Sequence, residues 1–402
     1  MTFDKILTTE VSDILNNLEN NGFEAFLVGG CVRDTILKRD CRDIDIATNA
    51  SAAQMTEIFK TYEIMTAGYE FGTVNVKGKN GNIFDITSFR LEGEYHDGRH
   101  PSYVTFGGDI HTDLARRDFT VNSLAVNRHG ELVDDFNGLK DCTVRQIKCV
   151  REPKLRFCED YLRILRALRF SSVLNFSIER LTADAIHELS ELVANIPPER
   201  ASEELRKMLS TPHNQRLKNL LIDFSDVFEI LFACTSVKEA AERIGNLENE
   251  TNFILKSVMI FSDANLSDCR FLNHKNFFTK SEEKLFYSLL NVDSQKLQNR
   301  KDTVKYAVQL GKDNICTLAA LKRNIPDELK FINDIQSDIN AGLFAFSVGD
   351  LAVKGKDLIE IGLHGKTIGD ALNSLLNCVQ NKRLPNEKNT LLDYAKNIFL
   401  QS

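Results

Sequence analysis

AFLVGGCVRDTILKRDCRDID (residues 25–45) is the stretch that decides the fold of this chain. Its first residues are apolar and predict a short buried strand, and the pair Gly29-Gly30 predicts a turn into a helix that begins near Cys31. Paired glycines let the backbone approach a ligand closely, and free N–H groups at a helix N-terminus stabilise phosphate oxygens. The stretch therefore predicts a phosphate-binding turn between a strand and a helix.

Two acidic residues, Asp43 and Asp45, end the same stretch on the next predicted strand. Side chains two residues apart on a strand project from one face, so Ile44 and Ile46 point the other way into a core. Adjacent carboxylates repel unless a cation lies between them, and hard oxygen ligands beside a phosphate favour Mg²⁺. We therefore predict a site for a metal-bound nucleotide.

Length and composition indicate several packed domains and no membrane segment. The chain has 402 residues, of which 43% are hydrophobic, and no stretch approaches the roughly 18 apolar residues that a membrane span needs. Nine cysteines without a CxxC pair indicate free thiols, so we expect a cytoplasmic protein. The net charge of −7 hides a basic region, because residues 151–169 carry six basic and three acidic side chains. A nucleic-acid partner is compatible with that local charge.

A β-hairpin is predicted around Asn80-Gly81, a strong two-residue turn signal. Its return strand carries Phe84 and Ile86 on one face and Asp85 on the other. Asp85 is either a third carboxylate of the metal site or an acid exposed to solvent, and the sequence leaves both open.

Helical periodicity begins at Pro153 and continues through the rest of the chain. Asp160 and Arg163, three residues apart, are predicted to share one face of the first helix, beside its apolar stripe. A later helix is predicted to open at 197–198 and to pair Arg200 with Glu204. The apolar stripe consists of Phe157, Tyr161, Ile164, Leu165 and Leu168.

Six segments carry a resemblance to a known family. They are LVGGCVRD with DID, then DGRHP, RRDFTVNSLA, DDFNGLKD and EDYLRILRALRF, all within residues 25–210. In this order and spacing they resemble the class II tRNA nucleotidyltransferase and poly(A) polymerase family of the polymerase β superfamily. Residues 355–376 resemble the family more weakly.

The resemblance implies an α+β protein with a small mixed-sheet nucleotidyltransferase head and an all-helical remainder. The expected parts are a catalytic head (1–141), a neck that serves as nucleotide template (142–210), a body (211–330) and a tail that binds tRNA (331–402). Basic side chains spread through the tail fit that last expectation: Lys354, Lys356, Lys366, Lys382 and Arg383.

Roles for residues of the head follow from the resemblance. Asp43 and Asp45 are the expected catalytic carboxylates and ligands of Mg²⁺. Gly30 is expected to hold the triphosphate through its backbone, and Arg33 through its charge.

The resemblance also implies an arginine-rich nucleotide site. Arg117 is expected to reach a phosphate or the ribose, although its neighbour Arg116 is a second candidate. Arg166 and Arg169, on the neck, are expected to contact the nucleotide.

The matching Glu159, Asp160 and Arg163 are expected to act as a protein template. Cytosine and adenine each present an amino donor beside a ring-nitrogen acceptor, which suits a carboxylate next to a guanidinium. Uracil and guanine present a carbonyl beside an N–H, which would leave buried polar groups unpaired. The pair should therefore accept C and A and reject U and G.

The implied function is to build or repair the 3′-terminal CCA of tRNA from CTP and ATP, without a nucleic-acid template and with release of pyrophosphate. Enzymes that add only A, or only CC, remain alternatives, as does a poly(A) polymerase. Residues 68–76 resemble the Gly-x-x-x-Gly-Thr form of tRNA enzymes, with Phe71 where the family often has histidine. The loop from Leu91 to Gly108 is not shortened, which argues against CC-only addition. A non-catalytic tRNA-binding protein is the alternative of another class, and a homodimer is left open.

Overall fold

A computed structural model describes residues 3–41, 43–93, 95, 98–99, 102–232, 237–247, 250–262, 269 and 277–400. The chain divides into two compact units, residues 1–241 with 267–277, and residues 242–266 with 278–402. The first unit holds a mixed sheet and helices, and the second is helical. The predicted α+β class is confirmed, and the finer division into head, neck, body and tail stays a prediction.

The strands of the described residues all lie in the first unit. They are β1 (Ala25–Val28), β2 (Ile44–Thr48), β3 (Glu63–Met65), β4 (Thr73–Lys77), β5 (Ile83–Ser88), β6 (Arg90–Glu92), β7 (Val104–Phe106), β8 (Ala125–Val126), β9 (Leu132–Val133), β10 (Gln146–Ile147) and β11 (Ser177–Ile178). Among the described residues, the largest sheet has the order β3-β4-β5-β2-β1-β8-β9.

The helices of the first unit are α1 (Thr9–Asn20), α2 (Gly30–Ile36), α3 (Ala52–Ile58), α4 (Ile110–Ala115), α5 (Gly138–Val144), α6 (Pro153–Glu159), α7 (Leu162–Leu174), α8 (Arg180–Glu188), α9 (Pro198–Leu209), α10 (Asn214–Asp223) and α11 (Ser225–Phe232). Helices α1, α2 and α3 pack on this sheet, and several later helices of the first unit pack on one another. The helix α12 (Val237–Gly245) runs across the boundary between the units.

The quoted stretch folds as predicted. The strand β1 leads through Gly29 into α2, and β2 follows with Asp45 on it and Asp43 immediately before it. Gly29 has φ +71°, a conformation that favours glycine. The strand β2 lies between β1 and β5, and its Ile46 is fully buried. This packing holds the acidic end of β2 in place.

The hairpin around Asn80-Gly81 is confirmed, since β4 and β5 pair antiparallel on either side of it. The strand β5 then pairs parallel with β2, in a register that sets Asp85 directly beside Asp45. The predicted loop from Leu91 to Gly108 is more ordered than expected at its ends, where β6 and β7 form a second hairpin. Residues 94, 96, 97, 100 and 101 of that loop lie outside the described residues.

The predicted continuous helix through Asp160 and Arg163 was wrong. The helix α6 ends at Glu159, Asp160 is extended with φ −146° and ψ 107°, and α7 begins at Leu162. The Asp160 carboxylate accepts a hydrogen bond from the Leu162 N–H at 3.1 Å. A side-chain bond two residues ahead competes with helix continuation, which accounts for the break.

The second unit consists of helices with a separate core. They are α13 (Phe253–Phe261), α14 (Lys280–Asp293), α15 (Arg300–Leu310), α16 (Ile315–Leu321), α17 (Pro326–Asn340), α18 (Gly355–Glu360), α19 (Lys366–Gln380) and α20 (Lys388–Phe399). Near the C-terminus, buried Leu358, Leu375 and Leu391 join α18, α19 and α20. Within the described part of the chain, we find no helix with the length and apolar character of a membrane span.

Candidate active site

One cavity of about 760 Å³ in the first unit brings together all nine predicted site residues. They come from separate elements: the helix α2, the acidic end of β2, the segment after α4, the break between α6 and α7, and the helix α7. The nine are Gly30, Arg33, Asp43, Asp45, Arg117, Asp160, Arg163, Arg166 and Arg169. Their shared location does not test their predicted roles, and those roles stay predictions.

The turn at Gly29 is closely packed against an arginine. A Cβ atom on Gly29 would lie 2.8 Å from Arg117 Nη1, so a side chain here would displace that guanidinium, and the φ angle also favours glycine. Four residues along α2, Arg33 donates to Asn122 Oδ1 at 2.5 Å. The turn and the guanidinium of Arg33 thus face the same cavity in fixed positions.

The carboxylate of Asp45 lies in a strongly negative setting. Its pKa is raised to about 6, first by burial and then by the negative charges of Asp85 and Asp43, against the opposing effect of Arg117. Asp85 accepts a hydrogen bond from Asn75 Nδ2 and is not among the residues that line the cavity. The register brings Asp85 next to Asp45, and its role as a third catalytic carboxylate stays open.

Arg116 and Arg117 are both held by one buried acid, Asp113. Arg116 Nε donates to Asp113 Oδ1 at 3.0 Å, and Arg117 Nη2 donates to Asp113 Oδ2 at 3.0 Å. Although burial alone would raise the pKa of Asp113, the charges of Arg117 and Arg116 hold it below the usual range. Both arginines line the cavity, so the geometry does not choose between them.

Arg166 is held by a second buried acid, Asp118. The Asp118 carboxylate accepts from Arg166 Nε at 2.8 Å and from Asn122 Nδ2 at 3.0 Å. Burial opposes ionisation of Asp118, yet Arg166 and these hydrogen bonds keep its pKa well below the usual range. Asp118 is therefore a permanent anion that fixes Arg166 at the cavity wall.

Glu204 of α9 holds Arg169 of α7 and also lies close to Arg166. It accepts a hydrogen bond from Arg169 Nε, and its Oε1 lies 3.7 Å from Arg166 Nη1. Glu204 does not pair with Arg200, so that prediction was wrong. The ring of Phe170 lies beneath these groups, with the Arg169 Cζ atom 3.7 Å from its centroid.

The predicted template residues bind different partners. Arg163 Nη1 donates to Glu159 Oε2 at 2.5 Å and to the Arg156 carbonyl at 3.1 Å, and Nη2 donates to the Arg116 carbonyl at 3.3 Å. Asp160 instead binds Arg200, whose Nη1 and Nη2 donate to Oδ1 and Oδ2 at 3.1 and 2.8 Å. The two predicted reading groups are thus fixed independently.

Sequence reasoning missed the acids and the ring that organise the arginines. Asp113 alone had a local signal, since it stands three and four residues before Arg116 and Arg117 in a helical segment. The other contacts join positions far apart in the chain and had no such signal: Asp118 with Arg166, Glu204 with Arg169, Asn122 with Arg33, and Arg200 with Asp160.

Transfer of a nucleotidyl group needs a place for a triphosphate next to paired carboxylates. In this chain a glycine turn and two carboxylates line the same cavity at the mixed sheet, and the chain is a nucleotidyltransferase. Residues 25–148 match the family described as the poly A polymerase head domain, and residues 245–395 match tRNA nucleotidyltransferase domain 2. The CCA-adding enzymes of Lactobacillus helveticus (strain DPC 4571) and Limosilactobacillus fermentum are 31% and 33% identical over 96% and 95% of both chains. The chain belongs to the family of CCA-adding enzymes.

Solved structures of CCA-adding enzymes share the fold. The crystal structure of the Bacillus stearothermophilus enzyme in complex with CTP has a TM-score of 0.75 and 26% identity over 97% of both chains. The Thermotoga maritima enzyme complexed with tRNA-CCA has a TM-score of 0.71 and 20% identity over 98% of both chains, which supports the fold alone. The family inferred from the sequence is confirmed.

Proposed function

We propose that this chain builds or repairs the 3′-terminal CCA of tRNA, taking C from CTP and A from ATP and releasing pyrophosphate. The observation that carries the proposal is that one cavity contains two sets of groups. One set is the glycine turn, the two acids Asp43 and Asp45, and the fixed arginines. The other is the Asp160 carboxylate and the Arg163 guanidinium, which suit the reading of a base. Because no strand of nucleic acid is needed to select the base in this arrangement, the protein itself would be the template.

The donor set at the end of β2 fits Mg²⁺. Asp43 and Asp45 supply hard oxygen ligands. Burial, with the nearby charges of Asp85 and Asp43, raises the pKa of Asp45, and a bound cation would offset this unfavourable setting for its ionised form. Among the described residues no three His, Cys, Asp or Glu side chains form a metal site by themselves, so phosphate oxygens and water would complete the coordination. When bound, Mg²⁺ would activate the tRNA 3′-hydroxyl and neutralise charge on the leaving pyrophosphate.

The arginines would orient the triphosphate. Arg33, Arg166 and Arg169 are held by Asn122, Asp118 and Glu204, so they present positive charge without having to reorganise. Gly30, at the start of α2, would bring backbone N–H groups to the phosphates, and Arg117 would reach a phosphate or the ribose. Together they would hold the α-phosphate in line with the attacking hydroxyl.

Arg163 and Asp160 would read the base. The guanidinium of Arg163 has five N–H donors, and its bonds to Glu159 and to the Arg156 and Arg116 carbonyls leave donors for cytosine N3 or adenine N1. The Asp160 carboxylate would accept from the exocyclic amino group. Uracil or guanine would place a donor against Arg163 and an acceptor against Asp160, and both would stay unpaired.

The tail would bind tRNA through fewer basic side chains than the sequence suggested. Lys382 pairs with Asp334 and lies 3.0 Å from Asp338, and Lys354 donates to the Gly349 carbonyl, so both support the fold of the second unit. Exposed Lys356, Lys366 and Arg383 remain the candidates for phosphate contacts. We also propose a cytoplasmic location, which suits the free cysteines of the described residues.

The test uses the full chain with tRNAs that end before CCA, after C and after CC. Each is incubated with CTP, ATP or both, with Mg²⁺ or with a chelator, and product lengths are resolved on a sequencing gel. Addition of C, C and A in turn, only with the metal, supports the proposal. Addition of A alone, of CC alone or of a long A tail identifies one of the related activities, and tRNA binding without incorporation identifies a non-catalytic protein.

A further inference from the structure

We propose that Arg200 is a positioning residue for base selection, because it fixes the carboxylate of Asp160 in the orientation that accepts the base. The inference rests on the proposed function. Arg200 lies on α9, forty positions along the chain from Asp160, and is not among the described residues that line the main cavity. It lines a separate cavity of about 190 Å³, which shares Asp160 with the main cavity.

The backbone around Asp160 cannot fix this side chain by itself. Asp160 sits in the break between α6 and α7, where its extended backbone belongs to neither helix. The Leu162 N–H bonds Oδ1 alone, at 3.1 Å, which leaves the carboxylate free to turn about that contact. A reading group that turns freely would accept from more than one base geometry.

Arg200 prevents the Asp160 carboxylate from turning, because it binds that carboxylate in a bidentate contact. Its Nη1 donates to Oδ1 at 3.1 Å and its Nη2 to Oδ2 at 2.8 Å, so both oxygens are bound from one side. A bidentate contact between a guanidinium and a carboxylate sets the plane of the carboxylate as well as its place. The side chains of Arg200 and Asp160 are 28% and 19% exposed, so the contact is shielded on most sides.

The bonds to Leu162 and Arg200 determine which oxygen of Asp160 can accept a hydrogen bond from the base. A carboxylate offers about four lone-pair positions. Leu162 and Arg200 occupy two on Oδ1, and Arg200 occupies one on Oδ2. Among the described residues this leaves Oδ2 as the oxygen with an open acceptor position, which is what one amino N–H of cytosine or adenine requires. A uracil or guanine carbonyl would meet that oxygen with no donor between them.

The experiment compares wild type, Arg200→Ala and Arg200→Lys with Lys207→Ala, a matched control that removes an exposed positive charge from the same helix. The measurement is kcat/KM for CTP, UTP, ATP and GTP on tRNAs that end before CCA and after CC. Arg200→Ala should lower the CTP:UTP and ATP:GTP ratios by about tenfold or more, since selection depends on unpaired groups at Asp160. Arg200→Lys, which keeps the charge but not the fork, should fall between Arg200→Ala and wild type.

A purely structural role for Arg200 predicts a different pattern. It would lower kcat for all four triphosphates alike and leave both ratios at the wild-type value, and that result would overturn the inference. If circular dichroism shows that Arg200→Ala is unfolded, the ratios of Arg200→Lys decide in the same way. A wild-type protein without preference for CTP over UTP would instead refute the proposed function, so the two failures are distinguishable.

Discussion

Replacing Glu204 with glutamine removes one negative charge from between two arginines while nearly preserving the shape of the side chain. Glu204 and Arg169 have side chains only 7% and 12% exposed, so solvent screens their interaction weakly. Arg166 keeps Asp118 as its main partner at 2.6 Å, which concentrates the loss on Arg169. Glutamine keeps a hydrogen bond to Arg169 but leaves this shielded guanidinium without its counter-ion. Loss of one charged partner costs more than loss of a neutral hydrogen bond, so Glu204→Gln should lower the free energy of unfolding by about 1–3 kcal/mol.

The assay is urea unfolding followed by circular dichroism, with the neighbouring Glu203→Gln as control because Glu203 is exposed on the same helix. Saturating CTP should reduce the difference between Glu204→Gln and wild type, since the phosphates would supply the missing negative charge to Arg169. A loss below about 0.5 kcal/mol, no larger than ordinary surface changes cause, would refute the reasoning. A difference that grows with CTP would show that the triphosphate does not reach Arg169.

The remaining predictions concern the acids, the turn and the reading residue. Asp43→Ala or Asp45→Ala should abolish incorporation of CTP without loss of circular dichroism, because removing mutually repelling carboxylates need not destabilise the fold; Mg²⁺-dependent incorporation in both variants would contradict the assigned site. Because the pKa of Asp45 is raised to about 6, its proton should compete with Mg²⁺ as pH falls through that value, so the Mg²⁺ concentration for half-maximal activity should rise from pH 7 to pH 5. The same raised pKa means that ionising Asp45 opposes folding, so without metal its contribution to stability should be lost as pH rises from about 4 to 6. Gly29→Ala should weaken CTP binding and lower stability by about 1–2 kcal/mol, since a Cβ would meet Arg117 in a left-handed backbone; unchanged CTP affinity by calorimetry would count against a phosphate at this turn. Asp160→Ala should reduce discrimination against UTP and GTP more than it reduces turnover of CTP, and a uniform rate loss would mean that the base is read elsewhere.

Local chemistry in the sequence was enough to predict the start of the sheet. The β1 strand, the Gly29 turn and the hairpin at Asn80-Gly81 each depend on residues within a few positions of one another. The pairing of Asp85 with Asp45 needed the parallel register of β5 and β2, which no local pattern specifies. The carboxylates could therefore be named from the sequence, whereas their mutual arrangement could not.

Ion pairs between helices were the main failure of prediction. Arg200 and Glu204 have ideal spacing for a pair on one helix, yet each binds a residue of another element, Asp160 and Arg169. Local pairs at exposed positions are worth a few tenths of a kcal/mol, so tertiary partners in a shielded setting readily replace them. The break at Asp160 was missed for a different reason. The apolar residues on either side of Asp160 continue the helical period across it, so the pattern gives no sign that the helix ends.

The ring of Phe170 gathers three guanidinium groups, with the Cζ atoms of Arg33, Arg166 and Arg169 at 5.2, 5.3 and 3.7 Å from its centroid. Such a cluster attracts any compact polyanion by charge alone and cannot tell one triphosphate from another. In a cell, inorganic polyphosphate, pyrophosphate and the two unwanted nucleotides would all compete for this position. Occupancy of the cavity would then follow the total pool of polyanions, and only the nucleotides with a fitting base would go on to react.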